Sequence, residues 1–258
     1  MHLEIVPLVD SLLPYAVVAG IAWLLAYVFF KKRWRLRKII RGYPLPSDVR
    51  RELGWSLLAA SIFGLVAAVT LWLGRLGWTQ IYFKINEHGR IWFWCSVVIA
   101  IIVHDAYFYW THRLMHHRAL FRWFHHVHHE STNPSPWAAF CFGPLEALVH
   151  ASFFPLLVLG MPMHPLAFWL FMMWGTAQAV FGHTGYEFYP PWFLNSWLGK
   201  LMNTPTNHAQ HHEKGRGNYG IYFNVWDRLM GTNHREYEHR FHEVTTRAAQ
   251  GVPLANAD

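Results

Sequence analysis

Charge is what this chain is short of. Only 14% of its residues are Asp, Glu, Lys or Arg, against about a quarter in soluble domains, which argues against an ordinary water-soluble globule. Cysteine is nearly absent. Cys95 and Cys141 lie in or beside apolar runs with no C-x-x-C spacing, so a disulfide framework and a thiolate metal site are both excluded. Acidic residues number 15 against 22 basic ones, and the resulting +7 charge and pI near 9.5 could suggest nucleic acid. The cations are in the wrong place for that. Lys31, Lys32, Arg33, Arg35, Arg37, Lys38 and Arg41 directly follow an apolar run, which is the position of a cytoplasmic flank touching anionic headgroups. The expected partner is a lipid bilayer, not nucleic acid. No internal repeat or low-complexity segment is visible.

What is abundant is apolar surface, with 53% hydrophobic and 17% aromatic residues. Mean hydropathy is only +0.11 because apolar spans are averaged with polar, histidine-rich stretches. Ile5 to Phe30 is apolar except for Asp10, lacks a basic leading region and a small-residue cleavage site, and stops at Lys31-Lys32-Arg33. It reads as a first membrane helix with its trailing end inside the cell. Pro44 to Asp48 reads as a loop and helix start leading to a second span, Trp55 to Trp78. A third span, Ile91 to Trp110, continues without a breaker into His112 and His116. Leu145 to Leu159 and Pro165 to Phe181, separated by a turn, suggest a helical hairpin.

The expected fold is all-α, an integral membrane bundle of about four to five membrane helices with a cytosolic helical cap holding a His-rich dimetal site. Residues 1–90 would form N-terminal membrane helices and a basic cytoplasmic loop, 91–245 a catalytic domain, and 246–258 a tail fraying from about Thr245. Counting sides along the chain, His112 to His129, His183 and His208 to His212 all emerge on the cytoplasmic face.

Nineteen histidines, most of them bunched, need a physical reason. In His112-Arg-Leu-Met-His116, positions i and i+4 lie about 40° apart on a helix, so two imidazoles can reach one metal or neighbouring metals. Asp105 and Tyr109 share that face. His125, His128 and His129 have i, i+3, i+4 spacing, and His208, His211 and His212 repeat it after a Thr204-Pro205 helix start. Either pattern alone is common; together they are not, because unligated imidazoles packed together are costly to bury. Imidazole suits iron, zinc, copper and nickel, and so many in-register ligands suit two ions better than one. Carboxylates that could compensate the charge are Asp105, Glu130, Glu187 and Asp227. His183 ends the last apolar span where the other clusters converge, and Glu187 could orient it or lie on the surface. His104 is placed for either hydrogen bonding or ligation. His117 and His126 face away, His150 and His164 look structural, and His234, His239 and His242 look like surface residues of the cap.

At these residues the chain resembles the fatty acid hydroxylase/sterol desaturase superfamily. The resemblance rests on His104-Asp-Ala-Tyr-Phe-Tyr-Trp-Thr-His112-Arg-Leu-Met-His116, His125 to His129, His208 to His212, Asn218-Tyr-Gly and Trp226 to Thr232, within Ile91 to Thr232. It implies a non-haem di-iron oxygenase that hydroxylates or desaturates a lipid with O2. It further implies His112, His116, His125, His128, His129, His208, His211 and His212 as iron ligands, with His183 a ninth. Of the candidate carboxylates, Asp105 and Glu187 are expected to act in the site. Electrons would come from a separate donor, a ferredoxin or cytochrome b5 with its reductase, since the His-Pro-Gly-Gly haem motif of fused relatives is not found in this sequence. The expected setting is a bacterial inner membrane or the endoplasmic reticulum. Trp110, Trp137, Phe140 and Trp174 could line an apolar tunnel for the lipid. The alternative is a histidine-ligated membrane metal or haem protein, for electron transfer or metal transport, without lipid oxidation.

Overall fold

A computed structural model describes residues 6–251, with side chains from Leu12 onward. Residues 1–5 and 252–258, which hold the start of the first expected span and most of the expected tail, lie outside the described residues, as does the side chain of Asp10. All regular structure among the described residues is helical, with three isolated bridge pairs.

Helix α1 (Val6–Trp23) runs on as a π-helical stretch, Leu24–Phe29. It is followed by α2 (Pro46–Arg75) and α3 (Gly89–Met115). Short helices α4 (Phe121–Phe124) and α5 (His126–His129) come next, then the hairpin of α6 (Pro144–Gly160) and α7 (Pro165–Gly182). The cap contains α8 (Trp197–Leu201), α9 (Pro205–Lys214), α10 (Val225–Leu229) and α11 (Tyr237–Gln250). Proline occupies the start of α2, α6, α7 and α9, where its missing N–H is not needed.

Three segments, Leu12–Phe29, Pro46–Arg75 and Gly89–Met115, are long and apolar enough to cross a membrane. The hairpin helices are shorter, at 17 and 18 residues, or roughly 26 Å each at 1.5 Å per residue, just under the ~30 Å hydrocarbon core. Outward-facing Leu57, Leu65 and Trp72 of α2 and Trp94, Val98 and Ile102 of α3 are exposed, an apolar belt suited to lipid. The protein is an integral membrane protein.

Helix α2 starts at Pro46, within the helix start expected at Pro44 to Asp48, and its polar first turns precede the apolar span expected from Trp55. The Asp48 carboxylate accepts the Leu45 N–H at 3.1 Å, and Glu52, fully buried, accepts the Ser135 hydroxyl. The end expected to fray from Thr245 stays helical to Gln250, with Val244 and Thr245 buried. The Arg247 guanidinium holds it by donating to the Leu36 and Lys38 carbonyls at 3.0 and 2.6 Å.

Those contacts also tie the basic loop to the cap. Arg37 donates to the Glu187 carbonyl at 3.1 Å, and the Ile39 N–H donates to Gly185 at 3.1 Å. Lys38 is buried, its ammonium donating to Asn133 at 3.1 Å, and burial pushes it down to about 7. Arg37 and Lys38 therefore bind protein, leaving the exposed Lys31, Lys32, Arg33, Arg35 and Arg41 to face headgroups.

Candidate metal centre

The histidine stretches belong to different elements. His112 is in the last turn of α3, with His116 just past its end. His125, His128 and His129 lie at α5, His183 follows α7, and His208, His211 and His212 sit in α9. Folding brings all nine together in two groups. The first holds His112, His116, His125, His129 and His211, and the second holds His128, His183, His208 and His212, with donor atoms within 4.8 Å of one another in each. Each H-x-x-H-H motif is shared between the groups. Its i and i+4 rings go to one group and its i+3 ring to the other, with the assignment reversed between α5 and α9. Ring centroids of His125 and His128, and of His129 and His212, are both 5.1 Å apart, so the groups lie side by side.

The Nε2 atoms point inward. In the first group His112 Nε2 stands 2.8 Å from His125 Nε2, and His129 Nε2 stands 2.9 and 3.2 Å from those of His211 and His116. In the second, His183 Nε2 lies 3.4, 3.0 and 3.1 Å from those of His128, His208 and His212. The opposite ring nitrogens settle the tautomers. Nδ1–H of His112, His128, His183 and His211 donates to the carbonyls of Tyr219, Cys141, Ala179 and Gly217, and that of His125 donates to Glu146 Oε1 at 2.6 Å. With the proton held at Nδ1, each of these Nε2 atoms is a bare lone pair directed at other nitrogens. Facing lone pairs repel unless a cation lies between them. Two nitrogens on one ion, each about 2.1 Å from it, are roughly 3.0–3.4 Å apart in octahedral or tetrahedral geometry. The observed spacing matches, so the residues fit two metal ions.

Burial keeps the rings neutral and ready to ligate. It is the largest cause pushing His128, His208, His211 and His212 well below the usual histidine range, and neighbouring imidazoles add to it. His183 is lowered to about 4 by burial, against the opposing pull of its bond to Ala179. All members of the second group are buried; in the first, His116 and His129 are half-buried.

Neither group contains a carboxylate. Asp105 and Glu187, expected to act in the site, instead brace the elements around it. Asp105 Oδ1 accepts the Tyr222 and Phe223 N–H groups at 3.0 and 3.1 Å, pinning the chain after α9 against α3. Glu187 caps α9: Oε2 accepts from Thr206 N and Oγ1 at 3.1 and 2.7 Å, and Oε1 accepts from Tyr189 N at 3.0 Å. Burial raises its carboxyl to about 7. Asp227 accepts from Tyr219 N, Gly220 N and the Thr232 hydroxyl, and Glu130 pairs with Arg51 at 3.5 Å. Among the described residues, the carboxylate that touches a ring of the centre is Glu146. Nothing in the sequence marked it except that it is a lone acid in an apolar helix, a costly placement that needs a partner. His150, expected to be structural, lies 3.6 Å from the same Oε1. His104 is in neither group and makes a 2.8 Å hydrogen bond with the Tyr222 hydroxyl. His117 and His126 are exposed, as expected.

An apolar cavity lined from α2, α3, α6 and α7 reaches the centre. Phe63, Phe108, Phe140, Phe142, Phe154 and Phe171 dominate its wall, and His125, His128, His183 and His208 close its inner end. Of the four aromatics expected to line a tunnel, only Phe140 does so. Trp110 is exposed, Trp137 packs on Tyr15, and Trp174 packs on Tyr222.

A membrane helix bundle whose metal centre is built only of imidazoles is thus defined by the geometry. The chain belongs to the fatty acid hydroxylase family, whose family model matches residues 97–232. It is 28% identical over 190 residues to a Delta(7)-sterol 5(6)-desaturase of Gibberella zeae, a match covering 73% of this chain and 57% of that one. It is 25% identical over 190 residues to the lathosterol oxidase of Homo sapiens, covering 73% and 62%. To a cholesterol 25-hydroxylase-like protein of Danio rerio it is 27% identical over 229 residues, covering 86% and 90%. The chain thus spans less than two thirds of the first two relatives. No solved structure matches it.

Proposed function

We propose that this protein is a membrane-bound non-haem di-iron oxygenase that hydroxylates or desaturates a lipid with O2 and electrons from a separate donor, a ferredoxin or cytochrome b5 with its reductase. One observation carries the reading: two adjacent sets of inward-facing Nε2 atoms border an apolar, phenylalanine-lined cavity. The names of the relatives, all lipid oxidising, support it. Iron in both groups would supply O2 activation and an oxidant strong enough for an unactivated C–H bond. The chain does the rest. Fixed Nδ1–H donors hold His112, His125, His128, His183 and His211 each in one orientation. The phenylalanine wall excludes water and aligns an acyl or sterol skeleton with the second group, three of whose four rings face the cavity. Hydroxylation places one oxygen atom in the lipid and reduces the other to water, whereas desaturation reduces both.

A cytoplasmic site is supported by the tie between cap and basic loop: Arg37 and Lys38 are hydrogen bonded to the cap region, and basic flanks favour the cytoplasmic face. The test is iron-loaded protein in bilayers of total cell lipid, given a reductant and O2. The expected product is a lipid heavier by one oxygen or lighter by two hydrogens. Unchanged lipids in fully iron-loaded, reduced protein would sink the proposal.

A further inference from the structure

The two metal groups are not equivalent. The second is wholly buried and faces the lipid cavity, whereas the first contains the two half-buried ligands, His116 and His129. Electrons arriving from water therefore have their shortest path into the first group. Phe121 lies on that path. Its ring centroid is 5.5 Å from His116 and 5.6 Å from His129 on one side, and 6.1 Å from the exposed His126 on the other. Two ring contacts thus connect the surface to the ligands.

The surface around this path is mostly cationic. From Ala106 to His129 there is no Asp or Glu, and Arg118 and Arg122 are exposed beside Trp123, which is 67% exposed. Across His116, whose ring is 5.1 Å from Tyr219, the turn after α9 presents Lys214 and Arg216, also exposed. Two acids border this surface: Glu130, which pairs with Arg51 and stands 3.5 Å from His126, and the exposed Glu213 beside Lys214, so the four cations remain in excess. A cationic collar with an exposed indole, set over a redox-active centre, has the features of a dock for an anionic partner: like charge to repel competitors, opposite charge to steer, and an aromatic anchor.

We propose that the face formed by α4 and the turn after α9 is the docking surface for the electron donor, a small acidic protein carrying a one-electron centre near its own surface. Arg118, Arg122, Lys214 and Arg216 orient it, Trp123 anchors it, and Phe121 lies between its redox centre and the first metal group. The inference rests on the oxygenase reading, because that reading requires an external reductant. Anionic lipid headgroups would fit the same cations, but they would have no use for a ring path that ends on metal ligands.

The test measures binding, independent of turnover. Full-length protein in neutral phosphatidylcholine nanodiscs is titrated with two probes, an acidic plant-type ferredoxin and the haem domain of cytochrome b5, at low and high salt. At least one probe is expected to bind and to weaken as salt rises. The variants Arg118→Glu/Arg122→Glu and Lys214→Glu/Arg216→Glu are each expected to weaken it tenfold or more, with metal content unchanged. Trp123→Ala tests the anchor without altering charge and should weaken binding several-fold. If neither probe binds, or if both charge reversals leave binding intact, the dock is overturned. Loss of affinity for phosphatidylglycerol discs with donor binding unchanged would assign the cations to lipid, which also overturns it. Supplying dithionite in place of the protein donor separates the two proposals. Lipid oxidation under dithionite in a chain whose donor binds elsewhere refutes the dock alone, whereas donor binding at the collar with no oxidised lipid refutes the oxygenase and leaves the dock.

Discussion

Each ligand ring has a distinct role, so single substitutions should not be interchangeable. His128 belongs to the second group and His211 to the first. His128→Ala and His211→Ala should each lower bound metal from two ions per chain toward one and abolish lipid oxidation, while His242→Ala changes neither. Elemental analysis of purified protein reads this directly; equal loss of both ions in each variant would mean that the groups do not fill separately. Glu146 is the carboxylate behind His125, and removing such a partner typically costs 10–100-fold in metal affinity. Glu146→Leu should show that loss in a chelator competition, and Glu146→Gln, which keeps an acceptor for Nδ1–H, should recover much of it.

The helix ends connect side chain to site. Glu187 closes the start of α9, the helix that delivers three ligands, by accepting three donors from Thr206 and Tyr189. Glu187→Ala leaves those buried donors unpaired, at about 1–3 kcal/mol, and should lower the thermal midpoint and loosen the second group first. On the cavity wall, a methyl at Gly175 would stand 2.6 Å from the Tyr222 hydroxyl. Gly175→Ala should therefore push Tyr222 off His104 and change which lipids are oxidised while bound metal stays constant, seen as a shifted product profile.

At the scale of the whole molecule, the centre joins α3, α5, the end of α7 and α9. Metal should therefore stabilise the entire cap through linkage, and chelation should lower the unfolding temperature in bilayers, reversed by iron. The metal-free protein should also depend on pH. His183 is lowered to about 4 against an ordinary value of 6.5, so the unfolded chain binds more protons between those values and stability falls as pH drops through that window. Glu187, raised from 4.5 to about 7, has the opposite sign, losing stability as pH rises through its window. The lowered imidazoles outnumber it, so net destabilisation is expected on acidification from pH 7 to 5. Thermal melts across that range check the sign.

Much of this protein was legible without coordinates, for a definite reason. Membrane helices announce themselves as long apolar runs, since a bilayer permits no partial solution for backbone polar groups. Two H-x-x-H-H patterns together with one H-x-x-x-H point to ligands, because unligated imidazoles packed together are costly to bury. Residue spacing could place His125, His128 and His129 on one face, but it could not divide them between two ions. That division depends on where α3, α7 and α9 lie around α5. The same limit hid Glu146, an unremarkable acid until α6 brings it to His125, and it could not show that Asp105 Oδ1 and both Glu187 oxygens accept from backbone amides and a threonine hydroxyl. Local sequence fixes which groups a helix presents. Only packing among distant helices decides which of them meet.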